Sequence, residues 1–294
     1  MIIHVKNVKK RYKKQDVLKG IEIAVDQPQI IALVGPNGAG KTTLMNCMAN
    51  LLPFNEGSIE LLGKKHTDPS IFKEVSYLQD NRILYGDLTG YDHLKFICRV
   101  QKIPLTKIIE VVDRIGMKSY MKKRVRNYSL GMKQHLLLAM AILNEPKLLL
   151  LDEPLNGLDP SSAIMMRNLL LELYSEGTTI LISSHNLDEV DRLTNTIYFM
   201  KDGALLKESL QDFVASEYSV TVDRLKEAEQ ALLQSNLPYT INEHNQLCFV
   251  DPPLPLQDFL NCMRNEEIMI ERIEHHQAGA ERRYQELFSK EQSV

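Results

Sequence analysis

"IIALVGPNGAGKTT" occupies residues 30–43. Its first five residues are a continuous apolar run. Such a run suits a strand buried on both faces, as in a parallel sheet covered by helices. A glycine-rich turn follows, and then a helical pattern. Gly35-x-x-x-x-Gly40-Lys41-Thr42 fits the phosphate-binding loop pattern. Gly35, Pro36, Asn37, Gly38, Ala39 and Gly40 form the loop, and Lys41, Thr42 and Thr43 open the helix. Glycines let the backbone curl so that several N–H groups face one point. The helix start adds its positive dipole end. Lys41 supplies a full charge for the β- and γ-phosphates, and the Thr42 hydroxyl is a hard oxygen ligand for Mg²⁺. This stretch alone predicts an α/β fold that binds a nucleotide.

Other apolar runs in the first two thirds of the chain agree with it. Candidate strands are residues 21–25, 75–78, 148–152, 178–183 and 196–200. "LLLLDEP" ends a buried strand with two acids. Asp152 falls at the strand's carboxyl end, where open parallel sheets bind ligands. It is placed to hold Mg²⁺, and Glu153 to orient and deprotonate a water for attack on the γ-phosphate. Pro154 cannot continue the ladder, so the acids stay at the sheet edge. His185 follows "TTILISS" in the same way and could donate to a γ-phosphate oxygen. Gln79 closes "VSYLQ", where an amide can contact Mg²⁺ or the attacking water.

Bulk properties bound the reading. The chain has 294 residues, 44% hydrophobic and 25% charged, which is ordinary for a soluble globular protein. Its formal net charge of −3 gives no global basic field, so nucleic acid is not expected as a partner. No apolar run approaches the roughly 18 residues a membrane span needs. Cys47, Cys98, Cys248 and Cys262 show no paired spacing and read as free thiols of a reducing compartment. Lys118, Lys122, Lys123, Arg124 and Arg126 read as a solvated basic face. Glu271, Glu274, His275 and His276 lack a recognised metal-ligand spacing.

One stretch poses a question that its neighbours do not answer. "RNYSLGMKQHLLLAMAIL", residues 126–143, reads as a helix after Ser129, apolar all round from Leu136. Such a helix is buried. Its start, Ser129-Leu130-Gly131, bares N–H groups and a hydroxyl suited to an anion. Nothing adjacent in the chain supplies one.

Taken together, these motifs resemble the ATP-binding subunit of an ABC transporter, over about residues 1–210. Ser129-Leu130-Gly131-Met132 sits where that family has its signature, usually written LSGGQ. Leu130 and Met132 replace a glycine and the glutamine, and His135 stands for the usual arginine. Tyr12 resembles the aromatic that stacks on adenine, Gln79 the Q-loop residue, Leu158-Asp159 the D-loop and His185 the switch histidine. "YSLGMKQ" is similar to the variant in bacterial exporter subunits of bacitracin-resistance and antimicrobial-peptide self-protection systems.

The resemblance implies MgATP held between two ATPase subunits, the pair being a homodimer, with Ser129 and Gly131 reaching ATP on the second chain. It also implies a separate membrane-spanning subunit and a peripheral place at the cytoplasmic face of the membrane. The expected fold is a P-loop NTPase core, residues 1–210. It has a parallel sheet, an antiparallel portion near the N-terminus and a helical insertion at 81–135. Residues 211–294 are expected to be a small α+β appendage, with strands in YSVTV, LPYTI, QLCFV and EIMIERI and helices at 224–235 and 256–264. Two rival classes remain: a soluble ABC-type ATPase acting on ribosomes or nucleic acid, and a regulatory nucleotide-binding module without turnover. The former usually carries two cassettes or a long coiled coil. Glu153 argues against the latter.

Overall fold

The computed structural model describes residues 1–13, 15–79, 81–210, 215–251 and 253–288. The described chain divides into two compact units, Met1–Ser209 and Leu210–Val294.

In the first unit, β1 (Ile3–Tyr12), β2 (Gln15–Val25), β4 (Glu56–Leu61) and β5 (Lys64–Lys65) form an antiparallel sheet in the order β2-β1-β4-β5. The second sheet contains β3 (Ile30–Val34), β6 (Val75–Leu78), β7 (Leu148–Asp152), β8 (Thr179–Ser184), β9 (Thr196–Lys201) and β10 (Ala204–Ser209), ordered β10-β9-β3-β8-β7-β6. All its pairings are parallel except β10 with β9. Every residue of β3 is buried, as its unbroken apolar run requires. In a parallel sheet the carboxyl ends of β3, β6, β7 and β8 share one edge.

Helices complete the unit. α1 (Lys41–Met48) buries Leu44, Met45, Cys47 and Met48 in a core shared by both sheets. α2 (Gly90–Gln101) starts with a capping box between Thr89 and Asp92. α3 (Thr106–Ile115) ends at Gly116 in the left-handed region. α4 (Leu130–Ile142) packs against β6, α2 and α3. It buries Leu136, Leu137, Leu138 and Ala139, as its apolar circumference implies. The expected insertion boundary at 135 therefore falls inside α4. α5 (Pro160–Ser175) and α6 (Leu187–Leu193) are clamped by an ion pair in which Arg167 Nη1 donates to both Glu189 carboxylate oxygens, at 3.0 and 2.8 Å, each side chain 13% exposed.

In the second unit, β11 (Ala215–Val222), α7 (Leu225–Gln234), β12 (Thr240–Ile241), β13 (Leu247–Asp251), α8 (Leu256–Asn265) and β14 (Ile270–Ala278) alternate as β-α-β-β-α-β. The sheet order is β12-β13-β11-β14, an antiparallel split-βαβ arrangement. Val220, Leu232, Leu247 and Phe259 form its core. α9 (Ala280–Phe288) follows.

The differences from expectation have physical causes. β1 is a strand the apolar pattern hid, because register shifts between Val5 and Val8 break its alternation and lysines crowd its exposed face. "LPYTI" yields only the two residues of β12, since Pro238 has no N–H for a ladder. β4, β10 and α9 went unmarked, being short and polar.

Candidate nucleotide-binding site

The loop after β3 is shaped by close approach. A Cβ on Gly35 would lie 2.6 Å from the Met200 carbonyl oxygen, so only glycine lets β9 pass there. Gly40, the N-cap of α1, has φ +111°, in the left-handed region that favours glycine. Pro36, Asn37 and Gly38 are exposed at the loop tip, with Ala39 behind them and Thr42 and Thr43 reaching the surface on the first turn of α1. Lys41 is 7% exposed, and its Nζ donates to the Gly35 oxygen at 2.6 Å and the Pro36 oxygen at 3.3 Å. The ammonium therefore stays folded back onto the loop, 3.7 Å from Glu153 Oε1.

The two acids are tied to β8. Asp152 lies opposite Ser183 in the β7–β8 register. The Ser183 hydroxyl donates to Asp152 Oδ1 at 2.7 Å and accepts the Glu153 N–H at 3.0 Å. Ser183 is fully buried, and no motif in the chain marks it. Its signal was the register itself, two residues before His185. Glu153 has φ +50°, an uncommon conformation for a side-chain-bearing residue, and it turns the chain sharply off the strand. His185 Nδ1 is 2.8 Å from Glu153 Oε2. The Tyr77 hydroxyl donates to Asn46 Oδ1 at 3.2 Å; burial, reinforced by the nearby Asp152 charge, raises its pKa and keeps it protonated.

A cleft of about 480 Å³ gathers Thr42, Gln79, Asp152 and Glu153, with Asn46, Tyr77, Leu130 and Gln134 among its other walls. Gln134 is a further residue that sequence reasoning missed. The structure thus brings together four of the expected site residues, with Lys41 and His185 adjoining through Glu153.

Three others stand elsewhere. Tyr12 does not line this cleft. It is half-exposed at the end of β1, with Lys10 Nζ 4.9 Å from its ring centroid. The strand paired with it supplies Val17 and Leu18, which adjoin Gly40. Ser129 is exposed, caps α4 and accepts the Met132 N–H at 3.2 Å. Gly131 is buried against α5, where an added Cβ would lie 2.9 Å from Ser162 Oγ. Neither Ser129 nor Gly131 lines the cleft.

His135 sits beside Tyr120, its Nδ1 2.9 Å from the hydroxyl oxygen. Burial holds its pKa below the usual imidazole value, so it is neutral at pH 7 despite an opposing pull from Asp159. Lys118 and Arg126 pair with Asp113 and Asp87, while Lys122, Lys123 and Arg124 are exposed. Among the described residues no group of three or more His, Cys, Asp or Glu side chains is placed to hold a metal ion.

A buried strand, a phosphate cradle and two acids on the same sheet edge define a P-loop nucleotide hydrolase. Comparison narrows the class. A family model described as ABC transporter matches residues 18–156. The chain is 36% identical over 211 residues to the lantibiotic transport ATP-binding protein SrtF of Streptococcus pyogenes, covering 72% of this chain and 92% of that one. It is 38% identical over 214 residues to the bacitracin transport ATP-binding protein BcrA of Enterococcus faecalis, covering 70% and 68%. Among solved structures, the ATP-binding subunit of an ABC transporter matches with TM-score 0.67 and 26% identity, over 72% of this chain and 91% of that chain. The ATP-binding cassette MJ0796, solved as a dimer bound to ADP and Pi, matches with TM-score 0.66 and 22% identity, over 71% and 99%, and so shares the fold.

This chain belongs to the ABC transporter ATP-binding family. It is an ATP-binding, ATP-hydrolysing transporter subunit, not a ribosome-directed ATPase. Among the described residues no helix is long and apolar enough to cross a membrane.

Proposed function

We propose that two copies of this chain close on two MgATP molecules and drive a separate membrane-spanning subunit that exports a membrane-active peptide. The cargo class follows the lantibiotic and bacitracin names of its relatives. The observation that carries the reading is the division of the site. Thr42, Asp152, Glu153 and Gln79 share one cleft, while Ser129 is exposed and lies outside it.

In this reading the loop from Gly35 to Thr43 holds the phosphates and Tyr12 stacks on adenine. The donor set fits Mg²⁺, because Thr42, Asp152 and Gln79 offer hard oxygens in one cleft. When bound, the ion would neutralise charge on the β- and γ-phosphates. Glu153 takes a proton from the attacking water, and His185, 2.8 Å away, orients it and donates to the γ-phosphate. Ser129, Gly131 and the start of α4 contact ATP on the second copy, which answers the question their sequence raised. A few charge-assisted bonds, worth about 1.5–3 kcal/mol each, are too little to bind ATP alone but enough to favour closure.

The membrane partner fits an open groove beside Gln79, lined by Leu51, Phe72, Ile83, Ile97, Leu137 and Met140, with Leu51 59% exposed. Docking there places the chain at the cytoplasmic face of the membrane. Residues 1–210 serve as the ATPase domain, and 211–294 as an appendage outside the nucleotide site.

Mixing two damaged chains tests the shared site. Lys41→Ala disables the loop and leaves the signature intact. Ser129→Asp keeps the α4 cap, since aspartate caps well, and sets a carboxylate against phosphate. Neither homodimer should occlude ATP. A covalently linked mixed dimer has one good site and should occlude about one nucleotide, by two-fold symmetry. A linked mixed dimer that neither closes nor traps ATP contradicts the shared site.

A further inference from the structure

Gln134 lies on the second turn of α4 and is 6% exposed. Its Oε1 is buried and has no hydrogen-bond partner. An unpaired buried amide oxygen costs stability, and native folds rarely keep one without a use. Gln134 lines the same cleft as Thr42, Gln79 and Asp152. It is therefore an acceptor without a donor, on a residue that shares the cleft with the proposed metal ligands.

Gln79 presents the complementary problem. A carboxamide that turns its oxygen to a cation has its NH₂ directed elsewhere, with two donors to satisfy. Gln79 follows β6, and α4 packs on β6, so the two amides belong to neighbouring elements.

We propose that Gln134 is a positioning residue for Gln79. Its Oε1 accepts a hydrogen bond from Gln79 Nε2 when metal and nucleotide occupy the cleft, fixing the Gln79 oxygen toward the metal. The inference rests on the Mg²⁺ reading of this cleft. It also has a consequence for cooperation between subunits. The helix that begins at Ser129 is held, five residues further on, by the occupancy of its own chain's cleft. Loading one site thus sets the helix that completes the other.

The test uses full-length protein and the Gln134→Met variant, which keeps length and removes the orphan oxygen. Without nucleotide, Gln134→Met should melt no lower than the parent, since an unsatisfied group has been removed. In a Glu153→Gln background that blocks turnover, the Mg²⁺ concentration giving half of the ATP-induced melting shift should rise about tenfold, as loss of an outer-shell partner usually does. ATP affinity in EDTA should be unchanged. Gln79→Met should raise the same midpoint, and adding Gln134→Met to it should change little, because the two act as one unit.

Three results would overturn the proposal: an unchanged Mg²⁺ midpoint in Gln134→Met, additive effects in the double variant, or a nucleotide-free melt that falls together with metal-free ATP affinity. Asp152→Asn separates this failure from failure of the metal reading. If Asp152→Asn raises the midpoint and Gln134→Met does not, only the positioning role falls. If neither moves it, the metal reading falls as well.

Discussion

Ser183→Ala removes one hydroxyl that serves both acids. In the parent, Ser183 Oγ donates to Asp152 Oδ1 at 2.7 Å and accepts the Glu153 N–H at 3.0 Å. The first is a hydrogen bond to a carboxylate, worth about 1.5–3 kcal/mol. The second, once lost, leaves a part-buried N–H without its partner, at a cost of about 1–3 kcal/mol. The two losses share one atom and do not add fully, so the expected cost is about 2–4 kcal/mol. Function should suffer beyond stability, because Glu153 sits at φ +50° and loses the bond that holds its backbone there. A displaced general base of this kind costs about 10²-fold in kcat. Urea unfolding followed by a first-unit probe, and ATPase rates at saturating MgATP, read the two effects separately. Ser183→Thr keeps the hydroxyl but adds a methyl group at a fully buried position, so it should recover turnover better than stability. A Ser183→Ala chain within 0.5 kcal/mol of the parent, turning over normally, would refute the idea that β8 positions both acids.

Gly35→Ala should lower ATP affinity at least about tenfold and destabilise by about 1–3 kcal/mol, since its Cβ meets a backbone oxygen at 2.6 Å; nucleotide titration and melting check both. Arg167→Ala should cost about 3 kcal/mol in unfolding experiments, because Glu189 is left largely buried without its partner. His135 has a lowered pKa in the folded chain, so its neutral form contributes stability above the unfolded value near 6.5. That contribution should fade as pH falls from there through the folded value, and His135→Asn should flatten the fall in melting temperature between pH 7 and pH 5. A chain ending at Leu210 should still bind ATP by titration; a cooperatively folded fragment that does not bind would place part of the site in the appendage.

The legible parts of this protein are the local ones. The loop after β3 announces itself because its glycines, lysine and threonine must be consecutive to do their work. β3 and β7 were readable to the residue because burial on both faces leaves unbroken apolar runs. What stayed hidden depends on neighbours far along the chain. Ser183 matters only because β8 lies beside β7 in a register that sets it opposite Asp152. Gln134 looks like any helical glutamine until packing isolates its oxygen. β1 was obscured by its irregular register, and the resemblance to known ATPases supplied what periodicity could not. The exposed Ser129 was the converse case, a residue singled out in the sequence that does not line its own chain's cleft.

The most direct measurement concerns Glu153. Glu153→Gln keeps the size of the side chain and its hydrogen bonding but removes the base. The variant should bind MgATP as the parent does, hydrolyse it about 10²–10⁴-fold more slowly, and accumulate as a dimer with ATP trapped between its subunits. Turnover near the parental rate, with no ATP-bound dimer in sedimentation, would contradict the assignment of Glu153 as the group that drives hydrolysis.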